Sequence, residues 1–240
     1  MIYLIYSVYL DSILFLRKKL FVLLPYYVLL IMTSVFEKYF NSNFLLKDFI
    51  SFFIEFFLLI FLEIFTTVLV CKHTIFSSHE YPFWTMLKHY YERGLFLFVS
   101  TLFALILFGV VLAIFAPAIG RFGYTLSTIS CMFICTLSLQ YMVVYNKDSI
   151  RDSLKGGISS LYKDFIFYFL VLLVGILINK FPSLLFPSSW LFLPILPIAE
   201  IEFILNPVAW LSWLIYPVLN SLQFISITLA FIYKHNKWNS

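Results

Sequence analysis

Charged residues fall in clusters, and the intervals between the clusters are apolar. Six such intervals stand out: residues 20–36, 49–71, about 95–116, about 124–145, 165–179 and about 207–233. A helix rises 1.5 Å per residue, so a hydrocarbon core of about 30 Å takes about 20 residues. The pattern therefore predicts six transmembrane helices. The fifth interval, Phe165–Asn179, is short by this measure. It predicts that Lys163 and Lys180 snorkel to the interfaces or that the helix recruits flanking residues.

A second periodicity lies between these intervals. Residues 1–19 form an amphipathic segment in which Ser7, Asp11 and Lys18 share one face. In the segment at about Tyr81–Arg93, Thr85, Lys88, His89 and Glu92 oppose Phe83, Trp84, Leu87 and Tyr91. In the segment at about Asp148–Lys163, Ile150, Leu154, Ile158 and Leu161 recur at helical spacing opposite Asp148, Arg151, Asp152, Lys155 and Ser159. Such stripes are the signature of helices lying in a membrane interface. The competing account is that any basic loop of this length looks amphipathic. The expected fold is all-α: one integral membrane domain over residues 1–240, built as three hairpins of spans, each preceded by a cytoplasmic interfacial helix. Residues 181–206 carry Pro182, Pro187, Pro194 and Pro197 and cannot form one regular helix. They are expected to cover the outer face in short pieces.

Composition sharpens this picture. Hydrophobic residues make up 62% and charged residues only 12%, against about 25% charged in a soluble domain. Mean hydropathy is +0.98. A soluble enzyme, a disordered chain and a nucleic-acid-binding module are all excluded. With six spans, 12 of the 16 Lys and Arg residues fall on the side of both termini and 4 on the other. The positive-inside rule then sets both termini in the cytosol, in a multi-pass plasma-membrane protein whose basic face meets anionic headgroups. Arg17, Lys18 and Lys19 follow the first apolar stretch, the reverse of a cleavable signal peptide. Three cysteines make no disulfide framework. The 30 Phe and 16 Tyr residues suit lipid-facing surfaces and headgroup belts, although codon bias yields the same enrichment.

Glu55 and Glu63 are the main candidates for chemistry. Each sits about 10 Å or more from the ends of the second span by helix rise. A central acidic residue costs about 2.5–3.5 kcal/mol on insertion scales and needs a polar partner, water or a proton. Asp48, Glu55 and Thr66 share one helical face. The functional reading is a proton or cation relay, or the lining of a polar cavity. The structural one is a polar contact, for example with Asn220 or Gln223 in the sixth span, where Pro217 is expected to produce a kink. Gly109 and Ala113 in the third span, with Ser127, Cys131, Cys135 and Ser138 in the fourth, predict a close-packed seam of small residues. Cys131 and Cys135 alone make no metal site. The spacing of His73, His79, Glu80 and His89 matches no metal or hydrolase motif. No catalytic residue, metal or cofactor is expected.

Two stretches resemble a known family: LQYMVVYNKDSIRDSLKGGISSLYKDFIFYFLVLLVGILI and PFWTMLKHYYERGLFLFVSTLFALIL. They are similar to the six-span membrane domain that accompanies some bacterial glycerophosphoryl diester phosphodiesterases, and to its stand-alone relatives of unknown function. The likeness covers about a third of the chain and rests on amphipathic pattern. In that family the phosphodiesterase chemistry belongs to a separate soluble barrel, for which this chain is too short and too apolar. The resemblance implies a non-catalytic membrane module that organises or senses lipids or anchors a larger assembly. The alternative is a permease subunit of an ATP-driven transporter, with a cytoplasmic ATPase or another membrane subunit as partner.

Overall fold

A computed structural model describes residues 1–28, 31, 44–76, 82–115, 117–185 and 207–236. The side chains of residues 44–56, 105, 109, 112–129, 176, 179–185, 207–213, 216 and 236 lie outside that description. Among the described residues all regular structure is helical. The elements are α1 (Ile2–Lys18), a 3₁₀ turn (Leu20–Leu23), α2 (Phe44–Thr74), α3 (Phe83–Phe115), α4 (Pro117–Val144), α5 (Ile150–Leu185) and α6 (Pro207–Asn236).

Among the described residues, three helices are long and apolar enough to cross a membrane, over Phe57–Thr74, Phe83–Phe108 and Ile150–Gly175; Ser130–Val144 is a shorter apolar stretch. The α2 window is 61% buried, against 18% for α3 and 28% for α5. The open faces of α3 and α5 are themselves apolar, with Phe96, Phe103, Ile106, Leu107 and Val110 exposed on one and Phe165, Ile166, Phe169 and Leu177 on the other. Water does not tolerate continuous apolar surface of this kind, and lipid does. The chain is a helical membrane protein.

One of the expected interfacial helices is not a separate element. The segment at about 81–93 forms the first turns of α3, which continues without a break. Nothing between Arg93 and Leu95 stops a helix: Gly94 is buried, and a Cβ there would lie 2.8 Å from Ile64 Cδ1 and 3.2 Å from Leu139 Cδ1. The segment at about 148–163 is different: α5 is two helices joined across a kink at Asp164 (φ −127°, ψ 31°), so the amphipathic stretch from Ile150 ends where the apolar one begins. α1 also stands apart, ended by Lys19 (φ −130°, ψ 53°). Pro217 lies inside α6 and is buried there. Residues 29–30, 32–36 and 186–206, and with them much of the first span and of the proline-rich segment, lie outside the described residues.

The described chain forms two compact units, residues 1–62 with 167–233, and residues 63–166 with 234–240. In the first, α1 buries Val8, Tyr9, Ser12 and Leu16. Tyr9 donates to the Val171 carbonyl at 2.7 Å, Tyr27 to the Leu214 carbonyl at 3.0 Å, and Tyr233 to Asp11. Tyr168 stacks on Phe231 with centroids 6.2 Å apart. Leu24, Pro25, Val28, Leu58, Phe61 and Leu62 line a small apolar pocket.

In the second unit, the corner between α4 and α5 is specified residue by residue. Asn146 takes a positive φ of 50°, the left-handed conformation asparagine tolerates. Its N–H donates to the Val143 carbonyl at 3.3 Å, and the Lys147 N–H to the Met142 carbonyl at 2.9 Å, which closes α4 with a Schellman motif. Ser149 then caps α5, accepting from the Asp152 N–H at 3.3 Å. The corner is tied to α3: Tyr90 donates to Asn146 Oδ1, and Asp148 receives His89 at 3.0 Å and Arg93 at 3.2 Å.

Candidate functional site

The apolar segment of α2 carries one described acid. Glu63 is 5% exposed and enters the second unit flanked by the buried Thr66 and Thr67. Helix periodicity turns Glu63 toward α4, where Thr136 donates a hydrogen bond to its carboxyl. Cys135, beside Thr136, lies close enough to Glu63 to interact electrostatically. Its thiol donates to Thr101 Oγ1 on α3 at 2.9 Å, and Thr101 donates in turn to the Leu97 carbonyl at 2.9 Å. A polar path thus runs across α2, α4 and α3 inside an otherwise apolar core.

Two oxygens on this path have no hydrogen-bond partner among the described residues, Glu63 Oε1 and Gln140 Oε1. Gln140 is 1% exposed and follows Thr136 by one helical turn in α4, a spacing that puts the two on neighbouring positions of one helix face. The side chain of Glu55, the other acid singled out in this span, lies outside the described residues. Asn220 and Gln223, expected as contacts for the acids of the second span, belong to the first unit. There Gln223 Cγ lies 3.1 Å from where a Cβ on Gly175 would be.

The expected seam of small residues divides. Cys135 faces α3 through Thr101, as expected for a contact between the third and fourth spans. Ser138 instead faces α5, where a Cβ on Gly157 would fall 2.3 Å from Ser138 Oγ. Cys131 is half-buried. The side chains of Gly109, Ala113 and Ser127 lie outside the described residues. Among the described residues no group of His, Cys, Asp and Glu could hold a metal.

A second polar cluster had no signal in the apolar pattern. His235, in the last turn of α6, accepts the Tyr145 hydroxyl at Nδ1, and its Nε2 lies 3.1 Å from Ser160 Oγ on α5. Ser160 commits its proton to the Gly156 carbonyl at 2.8 Å, so it can only accept from His235. One ring proton therefore sits on Nε2. The imidazole is a donor to Ser160 and not a base that would activate it. Burial lowers the His235 pKa; nearby Lys163 adds to that shift and Asp164 opposes it. Asp164, at the irregular turn of α5, pairs with Lys234. Sequence reasoning missed this cluster because its residues are spread over 90 positions, from Tyr145 to His235. Only the fold brings them together.

A third feature is the open face of α1. Ile2, Tyr3, Tyr6, Leu10, Ile13 and Leu14 are all exposed, opposite the face that packs. The stripe ends in exposed Arg17 and Lys18. No family model matches the chain, and no curated protein and no solved structure matches it.

Proposed function

We propose that this protein is a non-catalytic multi-pass membrane module whose α1 lies in the cytoplasmic leaflet of the plasma membrane and reads its anionic headgroups. The reading places both termini in the cytosol. The observation that carries it is the architecture of α1. One face packs into the protein, the opposite face is an exposed apolar stripe, and Arg17, Lys18 and Lys19 follow at its end. A helix dipped into the headgroup boundary has this arrangement, with apolar area entering the acyl region and basic residues meeting anionic lipid. In the second unit, the exposed Trp84 on α3 and Tyr162 on α5 are aromatics of the kind that favour a membrane interface. On this reading the module senses lipid charge or anchors a membrane assembly through that leaflet.

The test is thermal stability of the full chain in nanodiscs of phosphatidylcholine with and without phosphatidylglycerol. Each basic residue near an anionic surface contributes about 1 kcal/mol, so Arg17, Lys18 and Lys19 together contribute about 3 kcal/mol. The wild type is expected to melt higher in phosphatidylglycerol, and the triple glutamine variant to lose most of that increment. An equal increment in both proteins would refute the reading.

A further inference from the structure

We propose that Glu63 is a buried binding site for one monovalent cation, a proton or a sodium ion, with the side-chain carbonyl oxygen of Gln140 as its second acceptor. The inference does not depend on the lipid reading, because it concerns the core of the second unit and not α1.

The argument is a count of donors. Apart from the amide N–H groups of Gln140 itself, the side-chain donors on the α3 and α4 side of Glu63 are committed. Thr101 donates to the Leu97 carbonyl and Cys135 to Thr101. Ser138 donates to the Ile134 carbonyl at 2.6 Å. Thr136 donates to Glu63 and satisfies one side of the carboxyl. Glu63 Oε1 and Gln140 Oε1 remain as buried acceptors without a donor among the described residues. The α2–α4 contact at Thr136 sets both residues on the same interface, since Gln140 follows Thr136 by one turn.

Charge makes the same demand. None of the buried described residues is Lys, Arg or His. A buried ionised carboxylate without a counter-charge is far costlier than any neutral polar group. A water molecule can donate to both acceptors but leaves the charge in place. A proton on Glu63 neutralises it and turns Oε1 from an unsatisfied acceptor into a donor. A sodium ion neutralises it by direct coordination, since hard cations take oxygen ligands, and Glu63, Gln140 and Thr136 offer only oxygens. With a single described carboxylate, the site matches one positive charge and not two. No soft ligand is free for a transition metal, because the Cys135 thiol is engaged with Thr101.

The experiment uses the purified full chain in nanodiscs, with two readouts on wild type, Glu63→Gln and Gln140→Leu. Infrared difference spectroscopy on protein carrying carbon-13-labelled glutamate detects a protonated carboxyl. Melting in sodium chloride against choline chloride at equal ionic strength, at alkaline pH, detects sodium. In the proton arm, wild type shows a protonated-glutamate band near neutral pH that Glu63→Gln abolishes. In the sodium arm, wild type melts about 3–6 °C higher at ten times the dissociation constant. Glu63→Gln loses that rise, and Gln140→Leu needs about tenfold more sodium for it. Either arm supports the site and identifies the cation. Wild-type protein with neither a protonated-glutamate band near neutral pH nor a sodium-specific rise overturns it, and that result stands even if Glu63→Gln does not fold. A sodium response unchanged in Gln140→Leu overturns the role assigned to Gln140.

Discussion

Gly157 is the position where a single methyl group should do the most damage. α4 and α5 approach so closely there that a Cβ would lie 2.3 Å from Ser138 Oγ, 2.7 Å from Ser138 N and 2.8 Å from Ser138 Cα. Carbon atoms in good contact sit about 3.5–4.0 Å apart. The hydroxyl can rotate away, but the backbone atoms cannot. Gly157→Ala must therefore push the two helices apart by about 0.7–1 Å, a gap that forfeits a quarter to a half of each contact across it. Overpacking of this kind costs about 1–3 kcal/mol, and a clash with backbone belongs at the upper end. Alanine returns about 1 kcal/mol of helix propensity. The net loss is about 2 kcal/mol, a fall in melting temperature of roughly 4–8 °C for a chain of this size. The assay is thiol reactivity in a Cys131→Ser background, because Cys71 and Cys135 are buried in the same unit and react with a thiol dye only when it opens. Gly175→Ala is the control: its Cβ meets Gln223 Cγ at 3.1 Å and Tyr9 Oη at 3.2 Å, side-chain atoms that need to give by only a few tenths of an ångström. It should melt within about 2 °C of wild type. Ser138→Ala should not rescue Gly157→Ala, since the clash with backbone persists. Rescue by Ser138→Ala, or a Gly157→Ala protein as stable as wild type, would refute the close approach.

The His235 cluster predicts a pH dependence with a definite sign. Its folded pKa is lowered, so below the ordinary value of about 6.5 the unfolded chain gains a proton that the folded chain does not. Stability is then fully present above about pH 6.5 and is lost as the pH falls from there to the lowered folded pKa. Wild type should lose melting temperature more steeply than His235→Gln between about pH 7 and 5, and parallel curves would disprove the buried neutral imidazole. The cytoplasmic placement of the α5 start predicts that a cysteine replacing the exposed Lys155, in a chain whose native cysteines are serine, is shielded from an impermeant thiol reagent in intact cells and labelled after lysis. Labelling in intact cells would reverse the proposed topology.

The helical, membrane-embedded character of the chain was legible because it rests on composition and on the length of apolar runs. Both are local properties, and α2, α3 and α5 follow them directly. The sequence also marked Asp164, the last charge before the fifth apolar run, which is where α5 departs from helical geometry. It did not show that the second amphipathic segment continues into α3. An amphipathic stripe tells which face meets water. It does not tell whether the helix stops, and only a breaker does that. Gly94 reads in sequence as a weak point, yet its missing side chain is what admits Ile64 and Leu139.

The site was legible in its acid but not in its surroundings. The cost of a carboxylate in hydrocarbon singles out Glu55 and Glu63 from position alone. The neighbours of Glu63 depend on how α2 and α4 are rotated about their axes, which the apolar pattern of a membrane helix barely constrains because nearly every face is apolar. Small residues constrain that rotation better. Ser138 against Gly157 fixes one side of α4 toward α5, and Cys135 against Thr101 fixes another toward α3. With those two faces assigned, Thr136 is left to turn toward α2, and Gln140 follows it one turn along. The unsatisfied oxygens of Glu63 and Gln140 are thus a consequence of close packing elsewhere on the same helix. If Gly157→Ala rotates or displaces α4, it should weaken the cation response of Glu63 without touching a residue of that site.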